Sequence, residues 1–120
     1  MLVLPAGLRV FVCSEPVDMR RSFDSLASVT REILQEDPIS GHLFVFFSRS
    51  WSSVKILHWE KSGYWLYYKR LERGTFKLPV KRQSCRSLEI DSKELSLILE
   101  GLDLNGAKQR VRFQREAFCS

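Results

Sequence analysis

The sequence predicts a small α+β domain: an antiparallel sheet of four to five strands, one main helix packed on a face, and a second short C-terminal helix. Three observations predict it. Asp18 to Glu36 carries apolar residues at helical spacing, Leu43 to Phe47 is an unbroken apolar run, and Val54 to Phe76 interleaves aromatic, aliphatic and cationic residues around glycines with little room for a helix. A chain of 120 residues fits one domain, of a size that buries roughly two-thirds of its unfolded surface. No internal repeat or Pro-, Ser- or Gly-rich tract divides it, so residues 1–120 are taken as a single domain with a basic tail over 108–120.

Leu8 to Cys13 is short, apolar and β-prone, a first strand that Ser14-Glu15-Pro16 ends. Phe23, Leu26, Ala27, Thr30, Ile33 and Leu34 then form one stripe at i, i+3, i+4 spacing. Asp18 is the expected N-cap of this helix, because its carboxylate can accept from the orphan amides of a first turn. Asp37-Pro38 is the expected stop, since the residue before proline is pushed out of the α region. The apolar run Leu43 to Phe47 predicts a strand covered on both faces. Val54 to Trp59 and Tyr64 to Arg70 predict a hairpin, with Ser62-Gly63 supplying the positive-φ position of its turn. A short strand over Thr75 to Leu78 follows Gly74 and is limited by Pro79. Closely spaced sequential strands make an antiparallel meander the economical topology. Asp91-Ser92-Lys93-Glu94 has the spacing of a capping box, and Leu95, Ile98, Leu99 and Leu102 supply the stripe of a second helix ending at Gly101. Lys108 to Arg115 fits either a final edge strand or a basic tail.

Several function classes are disfavoured. The N-terminus lacks a leading positive cluster and is broken by Pro5 and Gly7, unlike a signal peptide. No run approaches the roughly 18 apolar residues of a membrane span. Cys13, Cys85 and Cys119 are odd in number and widely spaced, which fits reduced thiols and a cytoplasmic location. A zinc site would need scattered ligands, because only His42 and His58 could join the cysteines. His58 is expected as a strand residue and His42 as a turn residue rather than as bases. Two-metal catalysis needs acids gathered in a pre-organised cleft, and most acids here are explained as caps, solvated helix faces or ion-pair partners. No cofactor and no small-molecule substrate are expected.

The charge distribution is more informative. The whole chain is +5, yet between Arg49 and Arg86 ten Lys/Arg face two acids, Glu60 and Glu72. Solvated surfaces normally mix both signs, whereas neutralising phosphates rewards such an excess through counterion release. Lys55, Lys69, Arg70, Arg73, Lys77, Lys81 and Arg82 are therefore the candidate DNA contacts. Trp51, Trp59, Tyr64, Trp65, Tyr67 and Tyr68 fit either a platform for unpaired bases or the covered face of a sheet; about half are assigned to the core. Arg20 and Arg21 sit at the expected helix start, where cations oppose the helix dipole, so they are assigned a purpose beyond helix stability: extending the basic patch or pairing with Glu72.

Several blocks in order resemble the TnpB-type accessory proteins of insertion-sequence-66 elements. They are Asp18-Met19-Arg20-Arg21-Ser22-Phe23-Asp24-Ser25-Leu26-Ala27, Asp37 to Phe46, Lys55-Ile56-Leu57-His58-Trp59, Gly63-Tyr64-Trp65-Leu66, Lys69 to Phe76 and Leu99 to Asp103. The resemblance covers about Val10 to Asp103. It implies a non-catalytic protein that works beside a separate transposase and a second accessory protein of the same element; taken with the basic segment, DNA at the element ends is the expected partner, and the absence of a long apolar run leaves no membrane partner expected. It carries over no catalytic residues. Asp18 and Arg20, and the Lys69-to-Gly74 block with Glu72 and Gly74, are carried over as functionally important with roles unassigned. Where relatives have consecutive basic residues after the Phe44-to-Phe47 strand, this chain keeps one arginine, Arg49. Two other classes remain alongside DNA contact. One is a protein-binding adaptor whose basic face meets an acidic surface of the transposase. The other is an enzyme with an unrecognised metal site that changing Asp18 or Asp24 to Ala would abolish.

Overall fold

The order of elements follows from where the chain can bury its apolar runs. The structure, a computed structural model, describes residues 7–78 and 86–100. Strand β1 is Val10–Cys13, helix α1 is Phe23–Val29 and continues as a π-helical turn over Thr30–Leu34, and strands β2, β3 and β4 are Leu43–Phe47, Ser53–Glu60 and Gly63–Arg70. Strand β5 is Ser87–Ile90, and helix α2 is Ser92–Leu99. The five strands lie in the order β4-β3-β2-β1-β5, so the predicted α+β class and strand number hold.

Three of the four pairings are antiparallel, as expected, but β1 and β2 are parallel, with Val10 beside Leu43 and Val12 beside Val45. This corrects the simple meander. A parallel pair needs a crossover of a dozen or more residues, and α1 supplies it. The predicted strand over Thr75–Leu78 is absent, and its place in the sheet is taken by β5 at the far edge. Phe76 instead tucks in alone: its N–H donates to the Trp51 carbonyl (2.7 Å) and its ring packs 5.7 Å from Phe47.

Strand β2 is central and every residue in it is buried, which explains its unbroken apolar run. Phe44 and Phe46 join Leu26, Ala27, Val29 and Leu34 of the α1 layer, while Leu43, Val45 and Phe47 join Leu95 and Ile98 of α2 on the opposite face. The sheet therefore has two cores, one per face, separated by its own backbone.

Helix α1 begins at Phe23, the first residue of the apolar stripe, and so later than the expected N-cap at Asp18 places it. Ser22 occupies the N-cap position without a side-chain cap bond, and Asp18 instead accepts the N–H of Arg20 (2.8 Å) in a turn closed by Arg21 N–H to the Asp18 carbonyl (3.1 Å). A short acidic side chain competes well for nearby backbone donors, and here that competition ends in a turn rather than a helix. At the other end Gln35 adopts a left-handed conformation (φ 57°), so the helix stops before Asp37-Pro38. The hairpin turn also differs: Lys61 takes the positive φ (59°), Gly63 does not, and Ser62 N–H donates to the Glu60 carbonyl (2.6 Å).

The capping box of α2 forms as predicted: Asp91 Oδ1 accepts Glu94 N–H (2.8 Å), and Glu94 Oε1 accepts Asp91 N–H (3.1 Å). Leu95 and Ile98 are buried and Leu99 is packed against the same core; Gly101 and Leu102, with the segment 108–120, lie outside the described residues. Asp91→Ala is expected to cost about 1 kcal/mol, read by urea unfolding of the variant beside the parent.

The β1–β5 edge is clamped by Arg9, whose guanidinium donates to both carboxylate oxygens of Glu89 (2.9 and 2.8 Å). The hydrogen bonds from Arg9 hold the Glu89 carboxyl below its usual value. A depressed native pKa stabilises the fold above the unfolded carboxyl's pKa of about 4.3, and that contribution disappears as pH falls through the native value. Glu89→Gln is thus expected to melt below the parent at neutral pH, with the two midpoints converging in acid.

Candidate nucleic-acid interface

The two-residue turn at Lys61-Ser62 fixes the hairpin register and sorts its side chains between the two faces. Lys55 lies opposite Tyr68, Leu57 opposite Leu66 and Trp59 opposite Tyr64; Val54 lies opposite Lys69, Ile56 opposite Tyr67 and His58 opposite Trp65. Directly opposed residues share a face. The first set faces the α1 layer, to which Leu57, Tyr64 and Leu66 contribute, and the second faces the α2 layer, to which Val54 and Ile56 contribute. Alternation places Arg70 with Tyr68 on the α1 side.

Lys55 is the organising residue of the α1 side. Its Nζ donates to the carbonyls of Met19 (2.7 Å) and Arg21 (2.8 Å) and lies 5.2 Å from the centre of the Tyr68 ring. One ammonium thus pins the Asp18-to-Arg21 turn to β3 and faces the exposed Tyr68 of β4, which is 57% exposed. Sequence blocks 34 to 50 residues apart meet there. The Arg20 guanidinium donates to both oxygens of Asp18 (3.1 and 2.7 Å). Those hydrogen bonds hold the Asp18 carboxyl well below the usual carboxylate range. Arg20 therefore pairs with Asp18, not with Glu72 as one reading of the sequence expects. Among the described residues the ion pairs are Arg20–Asp18, Arg9–Glu89 and Arg86–Glu15.

Arg21, Arg70 and Arg73 are exposed and belong to none of these pairs. Lys69 reaches the α2 side, where Nζ donates to the Leu99 carbonyl at the helix C-terminus (2.5 Å), a favourable place for a cation. Beyond β4 the chain turns away through exposed Glu72, Arg73 and Gly74, tethered by Leu71 N–H to the Ser52 carbonyl (2.8 Å). Gly74 has φ 77°, a conformation that other residues adopt only at a cost, which accounts for a glycine in this block. Lys77 donates to Thr75 Oγ1 (3.0 Å). Lys81 and Arg82 lie outside the described residues.

The six hairpin-region aromatics divide evenly. Trp51, Trp59 and Tyr64 are half-buried, with Trp51 stacked on Phe47 (5.0 Å) and Trp59 edge-on to Tyr64 (5.0 Å). Trp65, Tyr67 and Tyr68 are exposed. Phe23, at the start of α1, stacks on Tyr64 (6.5 Å) and extends the aromatic border toward Arg21. The sequence offered Phe23 only as a helix-stripe residue and Tyr68 only as one of six aromatics; once the turn is placed at Lys61-Ser62, pairing alone puts Tyr68 across from Lys55.

The remaining reactive groups sit apart from this surface. Cys13 is fully buried and burial raises its thiol pKa, as suits a small core residue; Cys85 and Cys119 lie outside the described residues. His42 Nδ1 accepts the Arg9 N–H (3.0 Å) in a turn, and His58 lies in β3 with Nδ1 buried and unbonded. Among the described residues no group of three or more His, Cys, Asp and Glu is placed to hold a metal ion, and no helix is long and apolar enough to cross a membrane.

The family model described as "IS66 Orf2 like protein" matches residues 8–109. The chain is 38% identical over 103 residues to the uncharacterized protein y4hO of Sinorhizobium fredii (strain NBRC 101917 / NGR234), covering 84% of this chain and 88% of that one. It is 34% identical over 104 residues to y4jC of the same strain, also uncharacterized, covering 87% of each. No solved structure matches. The chain belongs to the IS66 Orf2-like family, whose role is that of an accessory in IS66 transposition.

Proposed function

We propose that the protein is a non-catalytic accessory factor that contacts DNA through the α1-side face of its hairpin and helps the separate transposase assemble on element ends. The observation that carries this reading is the convergence on Lys55: the Asp18-to-Arg21 turn and β4 meet around one ammonium. Exposed Arg21, whose carbonyl accepts from Lys55 Nζ, and exposed Arg70, on the same side of β4 as Tyr68, belong to none of the described ion pairs, and Arg73 follows three residues on. In this reading Arg21, Arg70 and Arg73 neutralise phosphates, with Lys69, Lys77, Lys81 and Arg82 adding positive field. Lys55 acts as the internal strut that holds the two segments together, and Asp18 aims the Arg20 side chain. Phosphate contacts fix position and carry no sequence information by themselves. A salt titration of binding to a duplex bearing the element's terminal inverted repeat, beside a scrambled duplex, tests the proposal. Steeply salt-dependent binding supports it. Absence of binding at physiological salt, with co-purification of the transposase retained, would overturn DNA contact in favour of an acidic transposase surface as the target.

A further inference from the structure

The opposite face of β4 carries a second, different surface. Trp65 and Tyr67 lie on the α2 side at alternate positions of β4, which among the described residues is an edge strand paired with β3 alone. Trp65 is 54% exposed and Tyr67 37%. Their rings are nearly parallel, 16° apart in plane with centroids 6.3 Å apart. The indole N–H of Trp65 donates to Glu60 Oε1 (2.8 Å), which fixes the ring and occupies the nearby carboxylate. The same row continues to Lys69, whose ammonium is held in place by the Leu99 carbonyl.

We infer that the Trp65-Tyr67-Lys69 row of β4 is a stacking platform for unpaired bases of a single-stranded nucleic acid. Core packing does not account for the two rings, because their outer faces meet solvent. A duplex does not account for them either, since its bases are already stacked on one another and a cationic surface suffices to hold it. Unpaired bases offer free π-faces to flat rings while their backbone meets positive charge, and the surrounding segment supplies that charge: Arg49 to Lys77 holds seven Lys/Arg against Glu60 and Glu72. This inference rests on the proposal that DNA is the partner. It assigns the two faces of β4 to two forms of DNA, the kind of junction found where a duplex end is opened.

Fluorescence anisotropy of the full chain tests it with two labelled probes, a single-stranded oligothymidylate and a duplex of equal length, about 12 nucleotides each. Trp65→Ala/Tyr67→Ala is expected to weaken single-strand binding by at least about tenfold. Duplex affinity should stay within about twofold, because no phosphate contact is removed. Trp65→Phe/Tyr67→Phe, which keeps both π-faces, should bind the single strand nearly as the parent does. Both side chains are exposed, and far-UV circular dichroism checks that the alanine variant folds. Unchanged single-strand affinity in that variant overturns the platform, as does a parallel loss on both probes. A parent that binds duplex but no single strand overturns the platform alone; a parent that binds neither overturns the DNA reading as well. A parent dimer made monomeric by the alanine variant, with single-strand binding unaffected, assigns the row to a second copy of this chain and also overturns it.

Discussion

Replacing Arg21, Arg70 and Arg73 together with alanine is expected to lower duplex affinity roughly a hundredfold near 0.15 M salt, and to reduce the slope of log K against log salt by about 2.7. Both figures come from counterion release, in which each phosphate contact contributes about 0.9 to the slope. The three residues suit the test because they are exposed and belong to none of the described ion pairs, so their loss should leave stability nearly unchanged. Arg20 is deliberately left in place, since removing it would strand the Asp18 carboxylate it holds. Loss of affinity with no change in salt slope would place the phosphate contacts elsewhere on the protein. Unchanged affinity would remove the α1-side face from the DNA reading.

Lys55→Met is expected to act on both stability and binding. Methionine keeps much of the apolar stem but cannot donate to the Met19 and Arg21 carbonyls, which then lose a charged partner. Hydrogen bonds from a charged donor contribute about 1.5 to 3 kcal/mol each when measured by deletion. Solvent can reach part of this site and offsets some of the loss, so a net cost of about 2 kcal/mol is expected. For a domain of this size that lowers the melting temperature by roughly 8 °C. Freed from β3, the Asp18-to-Arg21 turn no longer holds Arg21 to the hairpin, and duplex affinity should fall even well below the melting transition. Lys55→Arg is the informative companion: it retains the charge, but its planar fork fits two converging carbonyls differently. A Lys55→Met variant as stable as the parent would show that the turn is held by its own hydrogen bonds.

The hairpin shows how far sequence reasoning reaches and where it stops. Alternating aromatic and cationic residues identify two strands, because only a pleated, half-buried surface suits them. The turn is harder to place. Glycine is the expected carrier of positive φ, yet Lys61 carries it while Gly63 begins β4. A turn at Ser62-Gly63 would set Lys55 opposite Arg70 rather than Tyr68, two cations facing each other instead of a cation and a ring. Asp18 shows a similar limit: an acidic residue before an apolar stripe reads as an N-cap, but its carboxylate is taken by the Arg20 N–H and guanidinium. The capping box at Asp91 and Glu94 is fully legible, since both partners lie within one turn.

By itself the sequence determined the α+β class, the two-sided burial of Leu43 to Phe47, the capping box, the concentration of positive charge and the family to which the chain belongs. Each of these is local: it depends on neighbours along the chain, on composition, or on the order of short blocks. Only the tertiary structure decided that β1 and β2 run parallel, that β5 rather than Thr75–Leu78 completes the sheet, and that Lys55 is a strut between Arg21 and Tyr68. These depend on long-range pairing, where a shift of one or two residues changes every partner and competing registers differ little in local propensity. The sorting of β4 side chains, with Tyr64, Leu66, Tyr68 and Arg70 on the α1 side and Trp65, Tyr67 and Lys69 on the α2 side, belongs to the same class, because it exists only once the pleat and both covering layers are in place.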